Sequence, residues 1–538
     1  MMFMMVRKNK NKTKENFIKG NVDYLEVIIP NISDRVMEYA DKGLELDKII
    51  KQSIECNFHE DGIPASLFCY GLISSKLKRL FSVSESVLAI TTPSIIEKFN
   101  LNFVSKKEFT CEGNMRKFIN KVGTSSEVTD EQVKNKIKEI ENKNKLIKNE
   151  NKKIEINEEQ IKIDLQTKQN GHEFVKLFNN ISKTMIGKLD NKPTIHILDC
   201  VKQPVNINNS NYELSTVINY EGKPMRGYKM GVLRCITEKG GMIEHLIDDT
   251  LSKNDMSLVE EEIKNYDGFN ENDYLIDDRG FAKIEFIIYL VKKRKVNVII
   301  PVKKNMDIFK ECIKLATSSE EGWGKHPNSK RKGQEIKLIK DLKGLWISEK
   351  DRNKKPEKAM ENAIDFSACV IRIEKDKNPD LIDAANKAED DTDEIYEDDK
   401  YIYLVITSTD TNLSASQIIR YYEMRPEIEE DFRQLKDIWK ICTFTSTKYI
   451  FVMCQICMTF LAYNLFNMFK TSEEGIKYLY KSMKKISNEE QRDRVPFNET
   501  NYLIVSGGYY AIFSGIELLD LYAECSQEIR EKIRPLIA

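Results

Sequence analysis

From residue 186 the sequence alternates short apolar runs with longer amphipathic ones, and this alternation most limits what the chain can fold into. Strand-type runs fall at 193–199, 228–236, 241–247, 273–277 and 297–302, with helical patterns at 256–265 and 282–294. Short period-two runs rich in β-branched residues favour strands, and longer period-3.6 runs favour helices. Three early strands joined by hairpin-like turns, then strand–helix–strand units, predict a mixed sheet flanked by helices.

Two of these runs end in acid. PTIHILDCV carries Asp199, and DYLIDDRGF carries Asp277 and Asp278 ahead of a turn at Gly280. Neighbouring strand residues point to opposite faces, so only one of Asp277 and Asp278 can aim at a shared site. Asp278 is preferred because it directly precedes the turn. A third acid, Glu429, lies in RYYEMRPEIEEDFRQLKDIW, where Tyr422, Arg425, Glu429 and Lys436 are spaced Y-x2-R-x3-E-x6-K. At about 100° per residue a helix brings these four within about 60° of one another, with Arg433 alongside. Pro426 either starts a new helix or kinks a longer one, so the shared face is firmest for Glu429, Arg433 and Lys436. Carboxylates from two strand ends and a crossing helix can hold two divalent cations about 3.5–4 Å apart. The tyrosine, arginines and lysine supply donors for phosphate oxygens. The plainer alternatives are a solvated helix with i,i+4 ion pairs and, for each Asp alone, a turn or helix cap.

Together these pieces resemble the insertion-sequence DDE transposases whose third acid lies in a Y-R-E-K signature. The resemblance rests on LDC at 198–200, GYKMGVL at 227–233, DDRGF at 277–281 and the full spacing at 422–436, and spans roughly residues 186–470. It implies an RNase H-like core in which Asp199, Asp278 and Glu429 are catalytic and bind two Mg²⁺ (or Mn²⁺) ions. It makes Tyr422, Arg425, Arg433 and Lys436 the DNA-phosphate ligands. The implied reaction is cut-and-paste: hydrolysis at transposon ends, then attack of the freed 3′-hydroxyl on target DNA, with double-stranded DNA as partner and a homodimer in the complex. This sequence departs from the family pattern in having Cys200 and Val201 after the first Asp, and Pro426 after the signature Arg. The alternative is a catalytically inactive DNA-binding, self-associating protein that retains the fold.

A length of 538 residues suggests several modules. The pattern divides them into a helical region (1–110), a Lys/Asn-rich helical or coiled-coil linker (111–185), core (186–305), a β-rich insertion (306–404), core again (405–475) and a helical tail (476–538); the resemblance implies that region 1–110 binds DNA ends, with a plain helical bundle as the alternative. In the linker Val133, Ile140, Ile147, Ile154 and Ile161 recur every seven residues, which predicts a long exposed helix or weak coiled coil and a dimer contact. The tail reads as helices with a VSGGYY turn at 505–510, and no chemistry is assigned to it.

A net charge of −1 does not itself point to nucleic acid, but basic clusters stand at 292–295, Lys303–Lys304 and 325–332, masked by an acidic run at 388–400 read as a solvated loop. Eleven cysteines without a disulfide pattern, and no secretory signal, imply a reducing, cytoplasmic setting. Cys454 and Cys457 sit in an apolar helix without further ligands, which speaks against a zinc site. Tyr449–Phe469 is long enough to span a bilayer, but Gln455, Asn464 and Asn467 favour a buried helix and no membrane partner. His196 and His245 are expected in core or hydrogen-bonding roles. Trp323 or Trp346 could stack on an unpaired base, with core packing the plainer role.

Overall fold

One mixed sheet of ten strands organises the region that holds the three acids. The computed structural model describes residues 7–28, 32–54, 64–90, 95, 98–99, 112–146, 154–189, 192–237, 240–329, 331, 333–343, 363–374, 400–476 and 501–537. The acidic run at 388–399, Trp346 and Ile147 lie outside them. Two compact units emerge: residues 189–204 with 216–434, and residues 1–188 with 205–215 and 435–538.

In the first of these, the strands are β1 (Ile195–Val205), β2 (Thr216–Tyr220), β3 (Lys223–Thr237), β4 (Gly240–Thr250), β5 (Tyr274–Asp277) and β6 (Asn297–Pro301). After them come β7 (Gly324–Lys325), β8 (Gln334–Ile339), β9 (Ser367–Glu374) and β10 (Tyr401–Ser408). The order is β2-β3-β1-β5-β6-β10-β9-β8-β7, and β4 also pairs with β3. β1, β5 and β6 run parallel, while β6–β10, β10–β9 and β9–β8 are antiparallel. The helices are α1 (Asp255–Asn265), α2 (Ile284–Tyr289), α3 (Asp307–Ser318), α4 (Ala415–Tyr422) and α5 (Pro426–Asp437). Central strands read apolar at nearly every position because both faces are covered: Leu198, Leu275, Val298 and Ile300 are buried with Phe286 and Phe309 from the helices.

Two sequence expectations change here. β1 runs on to Val205 instead of ending at Asp199, and β2 was not expected. The strand-type run YIYLVITS returns to the core as expected, since β10 pairs directly with β6 through Thr407 and Ile300, and β9, β8 and β7 extend the same sheet beyond it. Their β-branched runs find an open strand edge to complete, which a linear pattern does not reveal.

In the other unit the apolar helix Tyr449–Thr471 packs along Glu158–Gly187, with Phe178 and Phe460 edge to face at 6.1 Å. By length and composition this helix could cross a membrane, but most of it is buried. The linker heptads do not form one exposed helix. Asp130–Leu146 turns back antiparallel on Glu158–Gly187: Val128 N–H donates to Gln166 (2.9 Å), Ser125 N–H to Asn170 (3.1 Å), and Asn144 exchanges two bonds with Ile154. Val133 and Ile140 are therefore buried inside the chain, where a sequence pattern alone suggested a partner copy. The tail is also not all helix. Asn501–Ser506 and Tyr509–Ser514 form a hairpin around Gly507 and Gly508, both at positive φ, and Tyr24–Ile28 adds to its edge.

Candidate active site

The parallel register of β1 and β5 creates the site. Leu198 lies opposite Asp277, so Asp199 and Asp278 leave the sheet side by side at the same level. Asp199 spends one oxygen on the Cys200 N–H (2.7 Å). Asp278 uses one oxygen to cap the short turn Arg279–Phe281 through the Arg279 N–H (2.7 Å).

α4 begins with a capping box at Ser414 and Gln417 and ends at Tyr422. The chain bends through Glu423, Met424 and Arg425, and α5 restarts at Pro426, whose fixed φ and absent N–H suit a first helical position. This break places Arg425 over the strand ends. Its Nη2 lies 3.5 Å from Asp199 Oδ2 and 3.4 Å from Asp278 Oδ2, and its Nη1 lies 2.6 Å from Glu429 Oε1. The two aspartate oxygens are thus at most twice 3.5 Å apart, although 79 residues separate them in sequence. Asp199, Asp278, Arg425 and Glu429 are brought together.

Other expected members sit elsewhere. Arg433 makes a two-point pair with Glu430, three residues before it (2.6 and 2.7 Å). Lys436 is exposed on the last turn of α5. Tyr422 is half-buried beside the acids; burial chiefly pushes its hydroxyl up to about 12, against the opposing charge of Arg425, so it stays a donor. Trp323 is not free to stack on a base, since it packs on the core with Arg372 4.2 Å above its ring. Cys454 and Cys457 are buried free thiols. Imidazole Nε2 of His245 meets Glu262 at 3.2 Å.

The site carries excess negative charge. Burial raises Asp199 to about 6; the Arg425 charge and the Cys200 N–H work against this, while Asp278 and Glu429 add to it. Arg425 stays protonated: burial alone would lower its pKa, but Asp278, Asp199 and Glu429 raise it. Asp277 points the other way, into the core. Neither of its oxygens has a hydrogen-bond partner, and burial, then the charges of Asp278 and Asp199, push it well above the carboxylate range. Its neutral form is favoured.

Among the described residues no three acidic, histidine or cysteine side chains stand close enough to share one ion in this arrangement. The guanidinium lies between the carboxylates instead. The donor set fits a hard divalent cation all the same: three carboxylates with one shared counter-charge are the oxygen-rich, electron-dense environment that Mg²⁺ or Mn²⁺ favours.

The model of one protein family, described as the transposase DDE domain, matches residues 215–465. Over those residues the chain is similar to the DDE domain of transposases. The match takes in Asp278, Tyr422, Arg425, Glu429, Arg433 and Lys436, and starts after Asp199. The mixed sheet with flanking helices is the RNase H-like core of that domain. No curated protein was found to match the chain.

Sequence reasoning missed three residues that shape the DDE domain's acidic helix. Arg234, on β3, donates from Nε to Asp431 (2.6 Å) and from Nη2 to Glu427 (2.8 Å), gripping α5 two residues either side of Glu429. The i,i+4 acids Glu427 and Asp431 signal a wanted cation, but nothing local names one 193 residues upstream.

Proposed function

We propose that this chain is a divalent-metal-dependent DNA transposase that cuts its element's ends and joins the freed 3′-hydroxyl to target DNA. The observation that carries this is the gathering of Asp199, Asp278 and Glu429 around one guanidinium, from two neighbouring strands and one helix. In this reading those three residues hold two Mg²⁺ or Mn²⁺ ions. Such ions activate water or a hydroxyl and steady the leaving oxygen.

The chain's own residues then divide the remaining work. Asp199 binds metal once deprotonated, with Cys200 N–H fixing its other oxygen. Arg425 exchanges its carboxylates for a phosphate, which a planar guanidinium grips at two points. Tyr422 donates its hydroxyl to a phosphate oxygen, and Lys436 adds charge along the exposed side of α5. Arg433 can join only by releasing Glu430. Double-stranded DNA is the substrate, and a homodimer holds the two ends.

Cleavage of the element's end sequence with Mg²⁺ or Mn²⁺ tests this, wild type against Glu429→Gln. Nicking by the wild type and its loss in the variant are expected. A parent chain that binds ends yet never nicks them under any divalent cation contradicts the proposal. Arg425→Ala and Lys436→Ala are each expected to reduce the salt slope of DNA binding by about one unit per lost phosphate contact. An unchanged slope removes their phosphate role.

A further inference from the structure

Arg234 lies deep in the sheet, 4 % exposed, at a place where the ladder is irregular. The β3–β4 register slips between Leu233 and Arg234: Leu233 faces His245, Arg234 faces Ile243, and Glu244 is left without an opposite residue. An extra residue in one strand twists the pair and re-aims its side chains. Here the guanidinium is turned onto α5.

The space it occupies is kept open by Gly241. A Cβ on that glycine would stand 1.8 Å from Arg234 Nη2 and 2.1 Å from its Cζ. Above the guanidinium, Asp431 is itself buried and takes the Nε bond, while Glu427 takes the Nη2 bond from the helix flank.

Helical geometry gives this grip a consequence. Glu427 and Asp431 lie about 40° apart around α5, whereas Glu429 lies about 160–200° from both. The buried positions Ile428 and Phe432 fall between these two sides. An apolar seam alone lets a helix roll, because hydrophobic contact is non-directional. A two-point charged bond on one flank fixes that roll, and so fixes where the opposite flank presents its carboxylate.

We propose that Arg234 is a positioning residue for Glu429, clamping the back of α5 so that the acid is held toward Asp199 and Asp278. The clamp touches no reacting atom, and its functional meaning rests on the metal-site reading above. Gly241 belongs to the same device, since any larger residue displaces the guanidinium without removing its charge.

Two measurements on the full chain test this, both well below the unfolding temperature. Hydrogen exchange reports the firmness of residues 426–437, and Mn²⁺ titration followed by electron paramagnetic resonance reports the site. Arg234→Gln and Gly241→Ala are each expected to speed exchange in 426–437 and to weaken Mn²⁺ binding about tenfold, the lower end of what loss of a ligand-orienting partner costs. Arg234→Lys, with one donor head for two carboxylates, is expected to fall between. Should Arg234→Gln not fold, Gly241→Ala and Asp431→Asn carry the same test. The proposal is overturned if exchange in 426–437 is unchanged, or if it rises with no shift in the Mn²⁺ midpoint while Glu429→Gln does shift it. A midpoint that Glu429→Gln leaves unmoved overturns the metal-site reading itself, and the positioning role with it.

Discussion

Two clusters of buried charge share strand β1 and were built to opposite ends. Three residues before Asp199, on the other face of the strand, His196 is fully buried between Glu244 and Asp273, with Nδ1 2.7 Å from Glu244 and Nε2 3.3 Å from Asp273. Glu244 also accepts from the Tyr266 hydroxyl, and Asp273 from the Asn270 N–H at 2.7 Å. Burial alone would lower the imidazole pKa, but Glu244 and Asp273 raise it to about 9, so the cluster is a protonated histidine between satisfied carboxylates. On the acidic side, one guanidinium serves three carboxylates, and Asp199 is raised to about 6. The first cluster is complete as it stands and acts on stability. The second is short of positive charge and is completed by something from outside, which is what a cation- and phosphate-binding site requires.

The comparison breaks most visibly if matched neutralisations behave alike. Glu429→Gln is expected to lower end cleavage by at least about a thousandfold while leaving the melting temperature near that of the wild type. Glu244→Gln is expected to do the reverse. It leaves a buried cation underpaired, costing about 3 kcal/mol or on the order of 10 °C in Tm, with Mn²⁺ affinity retained. Equal loss of Mn²⁺ affinity in both would merge the two clusters into one.

The next effect is a pH dependence of stability. The His196 pKa is raised in the fold, so its contribution is full below the unfolded value of about 6.5 and is lost as pH rises through about 9. Denaturant unfolding at pH 6.5 and 9.5 is expected to differ by about 3 kcal/mol in the wild type and by clearly less in Glu244→Gln. A wild type equally stable at both pH values contradicts a charged His196.

The smallest expected effect concerns the paired aspartates. Asp277→Asn replaces a neutral acid by a near-isostere and is expected to change stability by no more than about 1 kcal/mol, with cleavage kept. Asp278→Asn is expected to lose cleavage. The opposite pattern would exchange their roles.

Much of the acidic cluster was legible because its geometry is local. An Asp closing an apolar run marks an acid carried by a core strand, Pro426 marks a helix start, and a Y-R-E-K spacing sets positions on that helix. The register that levels Asp199 with Asp278 was not legible, because strand pairing is long-range. Arg234 was hidden for the same reason. Its partners are remote in sequence, and the slip at Glu244 that aims it depends on β4. The pairing of Arg433 with Glu430 was not legible, because angular position on a helix does not say which neighbouring acid a side chain takes. Of the heptads of 133–161, Val133 and Ile140 do mark a packing stripe, against the next helix of the same chain, whereas Ile154 is exposed. The tail hairpin carried its own signal, two glycines between aromatic and β-branched residues, and needed only to be weighed above the helical flanks.

The central claim is that the three acids exchange the Arg425 guanidinium for divalent metal. Anomalous scattering from Mn²⁺ in a crystal of the full chain with its end DNA tests it most directly. The account predicts manganese in direct contact with Asp199, Asp278 and Glu429, with Arg425 moved from the carboxylates onto a phosphate. Manganese bound elsewhere, with Arg425 still bridging the three carboxylates beside DNA, would contradict it.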